Sequence, residues 1–283
     1  MVKSILAVLL AIVIIVSALL IGACVYLKQA KDVDLVGSVA HAVSVLSEPI
    51  SKEDVCDHPF DLKQDMANVQ FIVNESVEDM IEYQEEHGYK VKFQDLPDEM
   101  KAIIYLSDKQ VGALAQVVLM QEAVGQVQVN DLYMDIEIYQ VKFDKDVNDG
   151  NILVNTVFGI NTAQYREAMA GTPIEGAIPE ILYVSSVNKV IKGEEAFTYT
   201  LEHVSLELNH LTPEQTEDFF RTIDMFAHIG TAEYLNGQVG KALIGSLVGS
   251  ETQRGLAYSL KDIGARDFEF QTKNGEIYFV VVR

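Results

Sequence analysis

The spacing of hydrophobic positions changes along the chain, and each change marks an expected element. From Ile5 to Leu27 there is no alternation: the run is apolar throughout, uncharged, and broken only by Ser17. As a helix it reaches roughly 34 Å at ~1.5 Å per residue, enough to cross a hydrocarbon core of ~30 Å. The run is longer than the ~7–15 apolar residues of a secretory signal, which favours a retained transmembrane helix. Leu35, Val36, Val39, Ala40, Val43 and Leu46 then recur at helical spacing, as in a short amphipathic helix above the membrane. Residues 47–65, with Pro49 and Pro59, read as a linker. The acidic run 74–88 reads as the solvated face of a helix with Val77, Met80 and Ile81 turned inward.

A more ordered pattern begins near Tyr89. Lys101 to Leu106 is strand-like, and Ser107-Asp108-Lys109-Gln110 has the form of a capping box. Val111, Leu114, Ala115, Val118 and Leu119 follow at helical spacing. From Asp131, the residues Leu132, Met134, Ile136 and Ile138 share one face of a strand, and the apolar parity then switches to Val141 and Phe143. Since side chains alternate faces with period two, that switch predicts a bulge or a twist. Asp149-Gly150 marks a turn into a second strand through Ile152, Val154, Phe158 and Ile160.

The sheet pattern breaks between Thr162 and Pro179. A further strand pair is expected over 182–192 and 197–208, with another parity switch between Leu201 and Val204. Thr212-Pro213-Glu214-Gln215 then caps a helix whose stripe is Phe219, Phe220, Ile223, Phe226 and Ile229. A last helix presents Leu235, Val239, Leu243, Ile244 and Leu247 on one side. Asn274-Gly275, set between two β-rich runs, predicts a type I′ hairpin that ties the C-terminal residues into a sheet.

The fold class expected from this order is α+β. An antiparallel sheet packs on amphipathic helices after an N-terminal transmembrane helix, and the two parity switches are compatible with a curled sheet. The organisation is an anchor over 1–27, a juxtamembrane helix, linker and acidic helical segment over 28–95, and an α+β core domain over 96–283.

Charge narrows the partners. The formal net charge is −21, a field that repels nucleic acid and anionic headgroups and draws cations and basic partners. Cys24 lies inside the apolar run and Cys56 is the other cysteine, so the domain holds no disulfide of its own. Lys3 precedes the span while Lys28 and Lys31 follow it; the short tail ahead of Lys3 resembles a signal anchor, which leaves the following domain on the extracytoplasmic side of the plasma membrane. Ile21-Gly22-Ala23-Cys24 also resembles a bacterial lipobox, and that resemblance implies lipidation at Cys24 as the alternative tether. Val25-Tyr26-Leu27 departs from it by remaining apolar.

Local catalytic and metal motifs are missing. Asp144, Asp146 and Asn148 sit at the first positions of a calcium loop, but Asp149 stands where the template needs Gly and Asn155 where it needs Glu. Cys56 and His58 have no second Cys/His pair to complete a metal site. No nucleophile elbow, P-loop or dinucleotide fingerprint occurs. No cofactor, metal or catalytic residue is assigned, although a hydrolase assembled from dispersed residues is not excluded by reading along the chain.

The segments Leu106–Leu119, Asp131–Ile160 and Gly264–Val282 together resemble small envelope proteins with a tubular lipid-binding (TULIP-like) fold. The resemblance implies an elongated sheet curled around a helix, an apolar groove for acyl chains, and no catalytic residues. Groove lining would come from Leu132, Met134, Ile136 and Ile138 on the strand and from Phe219, Phe220, Ile223 and Phe226 on the helix. The expected function is a membrane-tethered, non-catalytic module for a lipid or another hydrophobic ligand. The alternative is an acidic scaffold that recruits a cell-envelope protein.

Overall fold

The computed structural model describes residues 44–46, 48–121, 126–129, 132–168, 170–171, 179–227, 231–253 and 255–283; for 126–129, 132–134, 165, 168 and 222–227 it describes the backbone alone. The expected anchor over 5–27, Cys24 and most of the helix over 35–46 lie outside these residues. Among the described residues, no helix is long and apolar enough to cross a membrane.

The architecture is α+β with antiparallel sheets. A five-stranded sheet runs in the order β4 (Gln126–Val129), β5 (Leu132–Lys145), β6 (Ile152–Asn161), β7 (Ile181–Lys192), β8 (Tyr199–Leu208). A three-stranded sheet sets β10 (Glu276–Val282) between β3 (Ile104–Ser107) and β9 (Asp267–Lys273). One face of the large sheet, carrying Ile138, Phe158, Val184 and Leu208 in register, lies under three helices. These are α3 (Asp108–Gln121), α5 (Pro213–Ala227) and α6 (Ala232–Val248), the short α4 (Ala163–Ala168) following β6. The sheet is open, which corrects the expected curl. The physical reason is that three helices lie side by side on its face, where a tube would close around one.

Both parity switches are bulges. The β5–β6 register slips between Ile138 and Gln140, leaving Tyr139 extra, and the β7–β8 register slips between Val187 and Asn188, leaving Val204 extra. Each slip disturbs the ladder, and a buried carboxamide from the helix above meets it. Gln116 of α3 accepts from Ile138 N–H at 2.7 Å, and Asn236 of α6 donates to Val187 C=O at 2.9 Å. The two capping boxes are formed as well. Ser107 N–H donates to Gln110 Oε1 at 2.8 Å and Gln110 N–H to Ser107 Oγ at 3.4 Å, while Thr212 N–H donates to Gln215 Oε1 at 2.9 Å and Gln215 N–H to Thr212 Oγ1 at 3.3 Å.

The acidic run is where the structure departs most from the expected pattern. Helix α2 (Leu62–Ser76) ends within it, Asp79 takes a positive φ, and β1 (Ile81–Gln84) and β2 (Gly88–Val91) form a hairpin. Alternation in Ile81-Glu82-Tyr83 and Tyr89-Lys90-Val91 outweighs the helical look of the glutamates. Val77, Met80 and Ile81 are nevertheless buried, as expected. The expected linker is also more ordered than its prolines suggest. It carries α1 (Lys52–Val55) and crosses the back of the large sheet. Leu46 C=O accepts from Asn209 Nδ2 at 3.0 Å near one end of this strap, and His58 N–H donates to Gln140 Oε1 at 2.7 Å near the other. Met66, Val69 and Val73 of α2 share one core with Phe268 and Phe279 of the small sheet. Asn274 and Gly275 both take positive φ at the β9–β10 turn, as a type I′ turn requires, and β10 is the central strand of its sheet.

Candidate functional site

The residues expected to line a groove fall into two places. Ile136 and Ile138 on β5 are buried at 2% and 6% exposure under α3, and Phe219 and Phe220 on α5 are buried at 3% and 0%. Strands β6 and β7 lie between β5 and the β8 edge covered by α5, roughly 14 Å at ~4.8 Å per strand. All four are packed into the main core, and none lines the clefts described below. The side chains of Leu132, Met134, Ile223 and Phe226 lie outside the described residues.

The largest of these clefts, about 610 Å³, opens between the start of α2, the β1–β2 hairpin and the end of α3. The hairpin is held in place by two side-chain amides acting as strand neighbours. Asn74 of α2 takes Ile81 N–H on Oδ1 at 2.9 Å and gives Nδ2 to Ile81 C=O at 2.8 Å. Gln121 of α3 does the same for Val91, with both bonds at 2.8 Å. Asp61 caps α2 by accepting from Gln64 N–H at 2.8 Å, which places Leu62 and Lys63 on the opposite rim.

This cleft combines apolar surface with positive charge. Leu62, Tyr83 and Met120 line it and stand 36%, 54% and 58% exposed, with Val117 buried and the Tyr83 and Tyr89 rings 5.0 Å apart. Lys63, Lys90 and His87 also line it, and none of the described residues that line it is acidic. Glu82 faces Lys90 across the hairpin but is ion-paired to Lys92. Neither Lys63 nor Lys90 forms an ion pair with a described residue.

A second cleft of about 510 Å³ runs along β8 beneath α5 and α6, and its lining includes His203, Glu214, Glu217, Asp218, Arg221 and Glu233. His203 belongs to a buried polar network. Ser186 Oγ donates to Asn236 Oδ1, Asn188 Nδ2 donates to Ser186 Oγ at 3.0 Å, and Asn236 Nδ2 lies 2.6 Å from His203 Nδ1. That last contact makes Nδ1 the acceptor and puts the ring proton on Nε2. A hydrolytic triad needs its hydroxyl bonded to the imidazole. Here Asn236 stands between them and Ser186 is 1% exposed, so the geometry does not make Ser186 a nucleophile.

The remaining sequence candidates are structural. Asp146 and Asp149 of the calcium-like loop hold Lys189 of β7 at 2.5 and 2.9 Å. The ammonium occupies the place a cation would take, and it holds the Asp149 carboxyl down at about 2. Among the described residues, no group of His, Cys, Asp and Glu is arranged to hold a metal. Cys56 packs with Val157 and Tyr183 against the back of the sheet, where burial pushes its thiol up to about 11. His58 turns away to Asp108, 3.2 Å from its Oδ1. The fold thus defines an open-faced α+β protein whose sheet is covered by three helices on one side and a strap on the other. No family model matches the chain, and no curated protein or solved structure matches it either.

Proposed function

We propose that the protein is a membrane-tethered, non-catalytic module, facing the extracytoplasmic side of the plasma membrane, that binds a lipid or another hydrophobic ligand. The observation that carries this reading is the 610 Å³ cleft, where exposed Leu62, Tyr83 and Met120 gather in one concavity. Ligand sites are concave and mostly apolar with a few placed polar groups, and here Gln84 and Gln121 add the polar groups. The tether is the apolar run Ile5–Leu27 or a lipid on Cys24, and the intact mass of membrane-extracted protein tells the two apart. The ligand need not enter a tube. An open cleft between a hairpin and two helix ends serves the same chemistry as the tubular fold that the sequence resembles.

The test is mass spectrometry of organic extracts from the purified chain, beside a Tyr83→Ala/Met120→Ala variant. A lipid or other apolar molecule that co-purifies with the wild type and is reduced in the variant supports the reading. Extracts with no apolar molecule from either protein, together with no exchange of added lipid, defeat it.

A second reading, the acidic scaffold that recruits a basic envelope protein, is supported by the other cleft, whose rim carries Glu214, Glu217, Asp218 and Glu233 against Arg221. Pull-down from membranes that weakens with salt is its signature.

A further inference from the structure

The ligand of the 610 Å³ cleft is, we infer, a single-chain amphiphile with an anionic head, its chain on Leu62, Tyr83 and Met120 and its carboxylate or phosphate on Lys63 and Lys90. This rests on the reading of the cleft as a hydrophobic-ligand site and adds the charge of the ligand to it.

The inference comes from where the charges are not. In a chain with 42 acidic and 21 basic residues, the lining of an open cleft should carry carboxylates in excess. Among the described residues this lining carries none, and instead offers Lys63, Lys90 and His87. The neighbouring cations are already used: Lys92 is paired to Glu82 and Lys101 to Glu78. Lys63 and Lys90 are left without a partner among the described residues, in a wall fixed by the Asn74 and Gln121 clamps. Their butyl stems extend the apolar lining while the ammonium groups stay at the water boundary. An apolar floor under a cationic rim matches an anionic head on an alkyl chain, and it disfavours a cationic or zwitterionic head. The rim is open to water, so each lysine contributes modestly, about fivefold in affinity.

The experiment uses the full chain in phosphatidylcholine nanodiscs and three diazirine probes of equal chain length: a fatty acid, its methyl ester, and an alkyl trimethylammonium. Crosslinks are located by peptide mass spectrometry. The expected result is labelling of peptides containing Tyr83–Lys90 and Val117–Gln121 by the acid, at least fivefold above the ester and further above the ammonium. A Lys63→Glu/Lys90→Glu variant with an unchanged circular dichroism spectrum should reverse that order. Equal labelling by acid and ester overturns the charge inference while leaving the hydrophobic-ligand reading intact. Labelling of neither peptide by any probe overturns both. Discs containing lysophosphatidate separate the sources of the head group: competition with the fatty acid assigns it to a single-chain lipid of the bilayer, and lack of competition assigns it to a free amphiphile.

Discussion

Replacing Asn236 by Leu tests whether the second bulge is held by a helix or by the sheet itself. Asn236 is 0% exposed on α6 and makes four side-chain contacts: Oδ1 receives Ser186 Oγ and, at 3.2 Å, Asn188 Nδ2, which keeps Ser186 Oγ as a second acceptor, while Nδ2 reaches Val187 C=O at 2.9 Å and His203 Nδ1 at 2.6 Å. Leucine has nearly the same volume, so no large cavity opens and the change isolates the hydrogen bonds. His203 is partly exposed, and water can replace its bond at little cost. Ser186 is 1% exposed, and Val187 C=O sits where the β7–β8 register slips. A buried polar group left without a partner costs about 1–3 kcal/mol, which gives about 2–6 kcal/mol for these two. Against a total stability of about 5–15 kcal/mol, that is a large share. At about 2–4 °C per kcal/mol for a domain of this size, Tm should fall by about 4–24 °C. Urea unfolding in a nonionic detergent, followed by far-ultraviolet circular dichroism, should show a lower midpoint with an unchanged slope. Gln116→Leu, which strips the 2.7 Å bond from Ile138 N–H at the first bulge, should lose about 1–3 kcal/mol by the same reasoning. If both variants stay within about 0.5 kcal/mol of wild type, as an ordinary surface substitution does, the bulges need no helix amide and the reasoning fails.

The Lys189 cluster predicts an acid-dependent contribution to stability. The Asp149 and Asp146 carboxyls are lowered, first by the hydrogen bond from Lys189, so their folded values lie below the about 3.9 of an unfolded Asp. Their stabilisation is present above about pH 4 and is lost as pH falls toward 2. The Tm difference between wild type and Lys189→Met should therefore be constant from about pH 7 to 5 and shrink below about pH 4; a gap that stays constant to pH ~2 contradicts the pairing. At Cys56, the thiol pushed up to about 11 and 7% exposed should resist disulfide reagents at mildly alkaline pH in a Cys24→Ser background and react promptly in guanidinium. Gly159→Ala should speed that native reaction, because a Cβ there would meet the Tyr139 ring at 2.2 Å and displace it from the cluster around Cys56; an unchanged rate would mean that Tyr139 does not shield the thiol.

Much of the fold is legible in local pattern. Alternation and its interruptions located both bulges to within a residue of Tyr139 and Val204. The capping boxes and the Asn274-Gly275 turn are local by nature, since their partners lie within three residues in sequence. The β1–β2 hairpin was not read, because Glu75, Glu78, Glu82, Glu85 and Glu86 mask a short alternation that Gly88, at φ +70°, closes into a turn. The signal was present in Ile81, Tyr83, Tyr89 and Val91. The curl is what the resemblance to a tubular fold implies; the bulges are compatible with it, but a bulge specifies only local twist. Whether a sheet closes depends on how many helices cover it.

The cleft was out of reach for a different reason. Its lining comes from residues 62–63, 83–84, 87–90, 117 and 120–121, and each piece alone is unremarked surface: a lysine after a cap, a tyrosine on a hairpin, a methionine near a helix end. The amides that bring them together, Asn74 and Gln121, act across 7 and 30 residues. Meanwhile the most apolar stripes in the sequence, including Phe219 and Phe220, became core. Strong amphipathic periodicity identifies a face that another element will cover. A ligand site is the opposite case, apolar surface that nothing else covers, so it leaves a weak periodic signal.

The two functional readings can be separated by the sign of a salt effect. A basic protein approaching a chain of net charge −21 is steered inward by the long-range field, so raising salt slows its association. An anionic amphiphile approaching the same chain is repelled at long range and attracted at contact by Lys63 and Lys90. Because the Debye length is about 8 Å at physiological ionic strength, salt screens the whole-chain repulsion before it screens lysines at contact distance. Association of the amphiphile should then quicken as salt rises from low to physiological levels, while its dissociation changes less. Stopped-flow measurements with a fluorescent fatty acid, on nanodisc-borne protein and with empty discs subtracted, give that sign directly. An association rate that falls with salt would mean that the anionic head is attracted from long range, which the field of a chain of net charge −21 does not do, and would refute the screening argument.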